Sequence, residues 1–378
     1  MRKGLHPLSV HLGLAAAKSK EIQDYASSFQ LSYSKEQITE MVRGIKLYQG
    51  NDYEPHRLKT NIIWKSGTVK ILEPFECIRS GSVSSKPLLL VPSLINKSYI
   101  LDLSEKRSLL RWLRSNGVNA YLLDWGDLTH DEASKNISMN DLVELKLCGA
   151  IKYLADMYSS QVDVLGYCMG GTLLVAAHKF ANEYIDRMIF LASPWDFNSH
   201  SSSSGDNLVR AVRIWAPLVL PAIEDKNILP SSYVQALFAS LGSDDAIQKF
   251  IRFASLDQNS EEAQFFVSVE DWLNDEVDIP GSIAKSCIED WFIKNLTFNN
   301  KWAVGGECIC AADIKTDVLI VASKKDCLVP YDSALALKKQ ISSSKSSIIE
   351  PSTGHIGLIV GNNAVGQVWT PMLSWLKS

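Results

Sequence analysis

Gly166-Tyr167-Cys168-Met169-Gly170 sets a thiol between two glycines where the sequence changes character. Before it, Val162-Asp163-Val164-Leu165 has the β-branched, apolar pattern of a short buried strand. After it, Gly170 to Ala177 runs on in small and aliphatic residues suited to a packed helix. A strand, a tight turn and a helix around G-x-C-x-G make a nucleophile elbow, which lifts a reactive side chain clear at a sheet edge. The turn strains the nucleophile's backbone, and glycines two residues either side let strand and helix approach. Cys168 then stands at a helix N-terminus, where partial positive charge favours an anionic sulfur and an oxyanion. The backbone N–H of Met169 is the first oxyanion donor. A cysteine here, in place of serine, points to thioester chemistry. The bland alternative is a buried structural cysteine, and the partners of the thiol decide between the two.

A thiol nucleophile needs a base, and the base needs an orienting carboxylate. Asp317 to Ser323 reads as a buried parallel strand running into Lys324-Lys325-Asp326-Cys327-Leu328-Val329-Pro330, so Asp326 falls at its carboxyl end. Ser346 to Glu350 is a further strand, and the loop Pro351 to Gly357 after it carries His355. Ligands and catalytic groups in open α/β sheets gather at the carboxyl ends of strands. Cys168, Asp326 and His355 follow in the order nucleophile, acid, histidine. The other six histidines (His6, His11, His56, His130, His178 and His200) lack the strand-loop setting. Asp332, Asp317 and Asp313 are rival carboxylates, but they sit at a helix start or before the strand.

The elements that must hold these groups alternate. Strands are expected at Leu88–Val91, Ala120–Asp124, Val162–Leu165, Met188–Ala192, Val318–Ala322 and Ser347–Glu350. Helices are expected at Glu105–Ser115, Asn140–Met157, Gly170–Asn182, Asp332–Ile341 and Ala364–Leu376. This is the pattern of an α/β-hydrolase fold, a mostly parallel doubly wound sheet. Two antiparallel edge strands fit within Asn61–Phe75. Between Asp196 and about Asp313 the alternation stops, and bulky apolar residues such as Trp215, Phe250, Phe253, Phe266 and Trp291 accumulate. That stretch is read as an inserted, mainly helical cap, entered through a serine-rich hinge at Ser199–Gly205. The organisation is then a helical segment over 1–60, core over 61–195, cap over 196–312 and core over 313–378. Most of the cap aromatics are expected to form its own core.

The chain resembles the catalytic subunits of polyhydroxyalkanoate synthases, which polymerise (R)-3-hydroxyacyl-CoA. The segments that carry the resemblance are Val91 to Leu103 (P-x-x-I-N-K-x-Y-I-L-D-L in the family), Leu123-Asp124-Trp125-Gly126, Gly166 to Leu173, Lys325 to Pro330 and Gly354 to Gly357. Many synthases have a histidine after the catalytic aspartate, whereas Cys327 stands here. The resemblance implies that His355, oriented by Asp326, deprotonates Cys168, and that the thiolate takes the acyl group from a hydroxyacyl-CoA, with 3-hydroxybutyryl-CoA the expected substrate. A second oxyanion donor is expected from the Ser93–Asn96 loop after the third core strand, among Ser93, Leu94 and Ile95. The growing polyester, a granule surface and a second synthase subunit or homodimer are the implied partners. Two other readings use the same residues or the same fold: a polyester depolymerase or acyl-CoA thioesterase, and a non-catalytic granule protein.

Composition excludes other classes. A formal net charge of −4 argues against nucleic-acid binding. Seven cysteines form no zinc-type or C-x-x-C set, so no metal and no cofactor beyond the CoA thioester is expected. A free thiol suits a cytoplasmic setting, with granules as a further site. No stretch is apolar and long enough to cross a bilayer, and the region Leu8 to Ala17 is read as an amphipathic segment. Lys97, Arg210, Arg213 and Arg252 are candidates for a basic patch facing the polyanionic CoA.

Overall fold

The structure, a computed structural model, describes residue 2 and residues 33–57, 59–75, 86–130, 136–199, 205–241 and 243–378. The expected amphipathic segment and most of the serine-rich hinge lie outside the described residues. The chain divides into two units, Arg57–Leu229 with Val277–Ser378, and Met1–His56 with Pro230–Glu276.

The larger unit is built on an eight-stranded sheet. Its strands are β1 (Thr60–Ser66), β2 (Val69–Pro74), β3 (Pro87–Val91), β4 (Asn119–Asp124), β5 (Val162–Tyr167), β6 (Ile185–Leu191), β7 (Asp317–Val321) and β8 (Ser346–Ile349). Their order across the sheet is β1-β2-β4-β3-β5-β6-β7-β8. β2 pairs antiparallel with β1 and β4, and every other pair is parallel. Sequence expectation and structure agree on the six strands β3 to β8 to within a few residues at their ends. The central strands are mainly apolar because both faces are covered: every residue of β3 and of β5 is buried, and Asp163, the one charged residue of β5, pairs with Arg187. Register then brings their carboxyl ends together. Val91 pairs with Gly166, Tyr167 with Leu191, Leu191 with Val321, and Val321 with Ile349. That edge is where the loops carrying Ser93, Cys168, Asp326 and His355 emerge.

The helices shift more than the strands. The one expected at Glu105–Ser115 begins at Leu109, because Ser108 caps it by accepting the Arg111 N–H at 2.9 Å. Ser104 and Arg107 instead form an isolated bridge. The segments at Asn140–Met157 and Ala364–Leu376 each open with a π-helical stretch, Asp141–Leu147 and Val365–Trp369, before the α-helix proper.

Two of the distinctive motifs brace the loop after β3. Asn96 takes a positive φ of 64°, and a 3₁₀ turn follows at Ser98–Asp102. Ser98 Oγ donates to Asp124 Oδ1 at 2.9 Å, and buried Asp102 pairs with Arg111 at 2.8 Å. The Trp125 indole donates to the Pro92 carbonyl at 3.2 Å. Gly126, at φ +64°, lets that turn pass Thr68, whose carbonyl would lie 2.5 Å from an added Cβ.

The stretch read as one cap, 196–312, is shared between the units. The helix Gly205–Lys226 and residues from 277 onward belong to the larger one, where Ile228–Leu229 pairs antiparallel with Ile279–Pro280. Residues 230–276 belong to the smaller unit. There the helix Lys35–Gly50, opened by a Ser34/Gln37 capping box, packs with the helices Ser243–Ser255 and Glu261–Leu273. Met41, Tyr48, Phe250, Phe253 and Val267 form their common core, and Phe253 stacks on Phe266 at 4.2 Å. Gly44 permits the crossing, since an added Cβ would sit 2.1 Å from the Phe250 carbonyl oxygen. Phe250, Phe253 and Phe266 are therefore core residues of this unit, packed with the helix Lys35–Gly50.

Candidate active site

Cys168 links β5 directly to the helix Met169–Ala181, with φ 54° and ψ −126°. A residue with a side chain is strained there, by about 1–3 kcal/mol, and such conformations persist only where the surroundings enforce them. Close packing supplies the enforcement. A Cβ on Gly166 would lie 2.4 Å from Gly171 Cα, and one on Gly170 would lie 2.4 Å from the Val91 carbonyl oxygen and 2.5 Å from that of Pro92. A Cβ on Gly171 would lie 1.9 Å from Ser193 Oγ, which donates to the Gly166 carbonyl at 3.1 Å. Thr172 Oγ1 donates to the Pro194 carbonyl at 2.7 Å. The elbow is thus clamped between the ends of β3 and β6. Gly171→Ala is expected to destabilise the fold by about 2 kcal/mol through overpacking. Gly171→Ala with Ser193→Gly should recover part of that loss in urea unfolding, whereas Gly166→Ala, which meets backbone, gains nothing from the second change.

Asp326 lies in the turn after β7 and is 3% exposed. Its Oδ1 accepts the backbone N–H groups of Leu328 and Val329 at 2.8 and 2.9 Å, and its Oδ2 meets His355 Nδ1 at 2.7 Å. Ser323 ties the two loops together: its hydroxyl donates to the Thr353 carbonyl at 2.6 Å and accepts the Lys325 N–H at 3.1 Å. His355 is 8% exposed. An ionised carboxylate can only accept, so Nδ1 carries a hydrogen and Nε2 is left to face a thiol. Burial by itself would lower the imidazole. The charge of Asp326 and its hydrogen bond, with the charge of an ionised Cys168, outweigh it and hold His355 well above the ordinary imidazole range. The structure therefore brings Cys168, His355 and Asp326 together.

The rival groups lie elsewhere. Asp317 pairs with Lys345 at 3.6 Å and Asp313 with Lys179 at 3.8 Å, while Asp332 sits in the helix Tyr331–Gln340. His178 is buried in the elbow helix, and His130 is exposed beside Asp127. Cys327 is exposed, with its thiol 3.7 Å from the Lys325 carbonyl.

Met169 N–H sits in the first turn of the elbow helix, where backbone donors have no intrahelical acceptor. In the loop after β3, Ile95 N–H donates to Ser93 Oγ at 3.3 Å, so that donor is already engaged. Ser93 and Leu94 are both buried in that loop, next to the Pro92 carbonyl that abuts Gly170. Of the expected basic patch, Arg213 is held by the Phe292 carbonyl at 3.0 Å, and Arg252 belongs to the smaller unit. Among the described residues no group of three or more His, Cys, Asp or Glu is placed to hold a metal ion, and no helix is long and apolar enough to cross a membrane. Sequence reasoning passed over Tyr167, Ser193 and Ser323. Tyr167 and Ser323 stand in or beside the motifs, but only the fold shows what they touch.

Strand order, elbow and histidine loop are those of the α/β-hydrolase fold. Residues 58–113 match the profile of the poly-beta-hydroxybutyrate polymerase (PhaC) N-terminus. The chain is 26% identical to a poly(3-hydroxyalkanoate) polymerase subunit PhaC of Haloferax mediterranei, over 83% of this chain and 63% of that one. It is 27% identical to the subunit of the same name from Allochromatium vinosum, over 77% of this chain and 80% of that one. It spans about six-tenths of the length of its haloarchaeal relatives. Among solved structures, DcsB in complex with its substrate analogue superposes with a TM-score of 0.53 at 15% identity, over 84% of this chain and 99% of that one, a likeness of fold.

Proposed function

The chain is a sequence relative of the polyhydroxyalkanoate synthases, and on that premise we propose that it polymerises (R)-3-hydroxyacyl-CoA with release of CoA. The observation that carries the proposal is the buried Asp326–His355 pair facing a strained cysteine at the sheet's carboxyl edge. His355 Nε2 takes the thiol proton, and the Cys168 thiolate attacks the thioester carbonyl carbon. The negative oxygen is held by Met169 N–H and by a donor of the Ser93–Leu94 loop. Collapse expels CoA as its thiolate, which takes the proton from His355. The 3-hydroxyl of another unit then gives its proton to His355 and attacks the acyl-thioester, forming an ester and freeing the Cys168 thiolate. The cycle balances without a redox step and without a cofactor. Exclusion of water from the acyl-enzyme separates this outcome from hydrolysis. A second subunit or second copy and a granule surface belong to the same proposal as partners.

The test is incubation of the purified protein with (R)-3-hydroxybutyryl-CoA and analysis of what accompanies CoA release. Insoluble polyester supports the synthase. Free 3-hydroxybutyrate in stoichiometric amount assigns water as the acceptor and overturns the polymerase reading.

A further inference from the structure

We infer that Tyr167 is a positioning residue that fixes the His355 imidazole by stacking on one face of its ring. This rests on the proposed role of His355 as the base. Tyr167 is the last residue of β5, immediately before Cys168, and it is 2% exposed. Its ring stacks on the His355 ring, with centroids 5.0 Å apart and planes inclined by 28°. Its hydroxyl donates to the backbone carbonyl of His355 itself, at 3.4 Å. One side chain thus touches both the ring and the main chain of the base.

Tyr167 and Cys168 share a peptide unit, and Tyr167 pairs in register with Leu191 of β6. The ring that supports His355 is therefore built on the same rigid strand end that presents the thiol. Asp326 fixes the direction of the Nδ1–H bond, but one hydrogen bond leaves the imidazole free to tilt about it. A parallel aromatic face removes that freedom, and it also favours the charged imidazolium once the proton has been transferred. The titratable groups acting on His355 are Asp326 and Cys168. Burial, with the nearby charges of Cys168 and Asp326, holds the phenol far above its ordinary range, so its O–H remains a donor throughout the working range of pH. The hydroxyl bond is long and adds little; the stack is the larger part.

Two variants separate these contributions. Tyr167→Phe keeps the ring and loses the hydroxyl; Tyr167→Leu loses the ring. Each is assayed for kcat and KM in CoA release from (R)-3-hydroxybutyryl-CoA. Each is also assayed for the pH dependence of iodoacetamide alkylation at Cys168, read peptide by peptide. For Tyr167→Phe, kcat should fall by no more than about threefold, with the alkylation profile in place. For Tyr167→Leu, kcat should fall about 10-fold with KM within about twofold, because orientation and imidazolium stability act on the chemical step. Its alkylation profile should move so that the imidazolium–thiolate pair is lost at lower pH. A Tyr167→Leu enzyme with wild-type kcat and alkylation profile overturns the inference, as does a Tyr167→Phe enzyme equally damaged. If Tyr167→Leu does not fold, Tyr167→Met takes its place under the same criteria. If the wild-type protein turns over no hydroxyacyl-CoA, the proposed function fails, and the alkylation profiles still test the positioning role.

Discussion

Replacing Cys168 by alanine should remove CoA release, to below about one part in 10⁴ of the wild-type rate, because its thiol is the group proposed to carry the acyl chain. Oxyanion donors and substrate binding survive in that variant, so any remaining rate measures what they achieve alone. The same position allows a contrast that separates activity from stability. At φ 54° and ψ −126° any residue with a Cβ is strained, and alanine keeps the strain that cysteine bears. Cys168→Gly should therefore be as inactive as Cys168→Ala yet more stable than it by about 1 kcal/mol in urea unfolding, the relief of strain exceeding the extra entropy glycine has in the unfolded chain. Turnover persisting in Cys168→Ala would remove the thiol from the reaction.

Asp326→Asn is the second large effect, and its cause is a tautomer. The Asn oxygen would be claimed by the Leu328 and Val329 N–H groups that Asp326 Oδ1 now accepts, which leaves the amide nitrogen facing His355 Nδ1. That nitrogen donates, so Nδ1 must accept, and the ring hydrogen moves to Nε2, where it blocks proton transfer from the thiol. An analogous change in a serine protease costs about 10⁴ in kcat, and a loss of about 10²–10⁴ is expected here, with KM little changed. The same pair makes stability depend on pH. The His355 value is raised in the fold, so its ion pair stabilises fully below the ordinary value of 6.5 and the effect is lost as pH rises through the folded value. The difference in melting temperature between wild type and Asp326→Asn should thus be widest near and below neutrality and narrow at alkaline pH. A gap that widened with rising pH would contradict the assigned charge of His355.

Much of the site was legible because its residues sit where pattern and chemistry coincide. The parallel strands are short apolar runs bounded by polar loops, and in an open sheet the catalytic groups must lie just past their ends. Cys168, Asp326 and His355 could be placed on that ground. Their junction at Asp326 Oδ2 and His355 Nδ1 required the register of β6, β7 and β8, which side-chain identity alone does not encode. Tyr167 was the unspecified position of G-x-C-x-G, and only the return of the 351–357 loop over β5 shows that its ring meets His355. Ile95 illustrates a different blind spot. Its N–H counted among the oxyanion donors until a local bond to Ser93 Oγ engaged it. Composition marks the stretch from 196 to 312 as a single helical cap, and it carries no sign of the division of that stretch between the two units. Phe250 packs against Gly44 of a helix about two hundred residues earlier, and such long-range pairing leaves no local periodic signal.

An acyl group carried by Cys168 can be trapped as a covalent adduct. The protein is mixed with (R)-3-hydroxybutyryl-CoA, quenched in acid within the first turnovers, digested, and its peptides are analysed by mass spectrometry. A hydroxybutyryl adduct, labile to hydroxylamine, on the peptide containing Cys168 and absent in Cys168→Ala is the predicted result. CoA release without any adduct on Cys168, or an adduct on Cys327 that persists in Cys168→Ala, would contradict it.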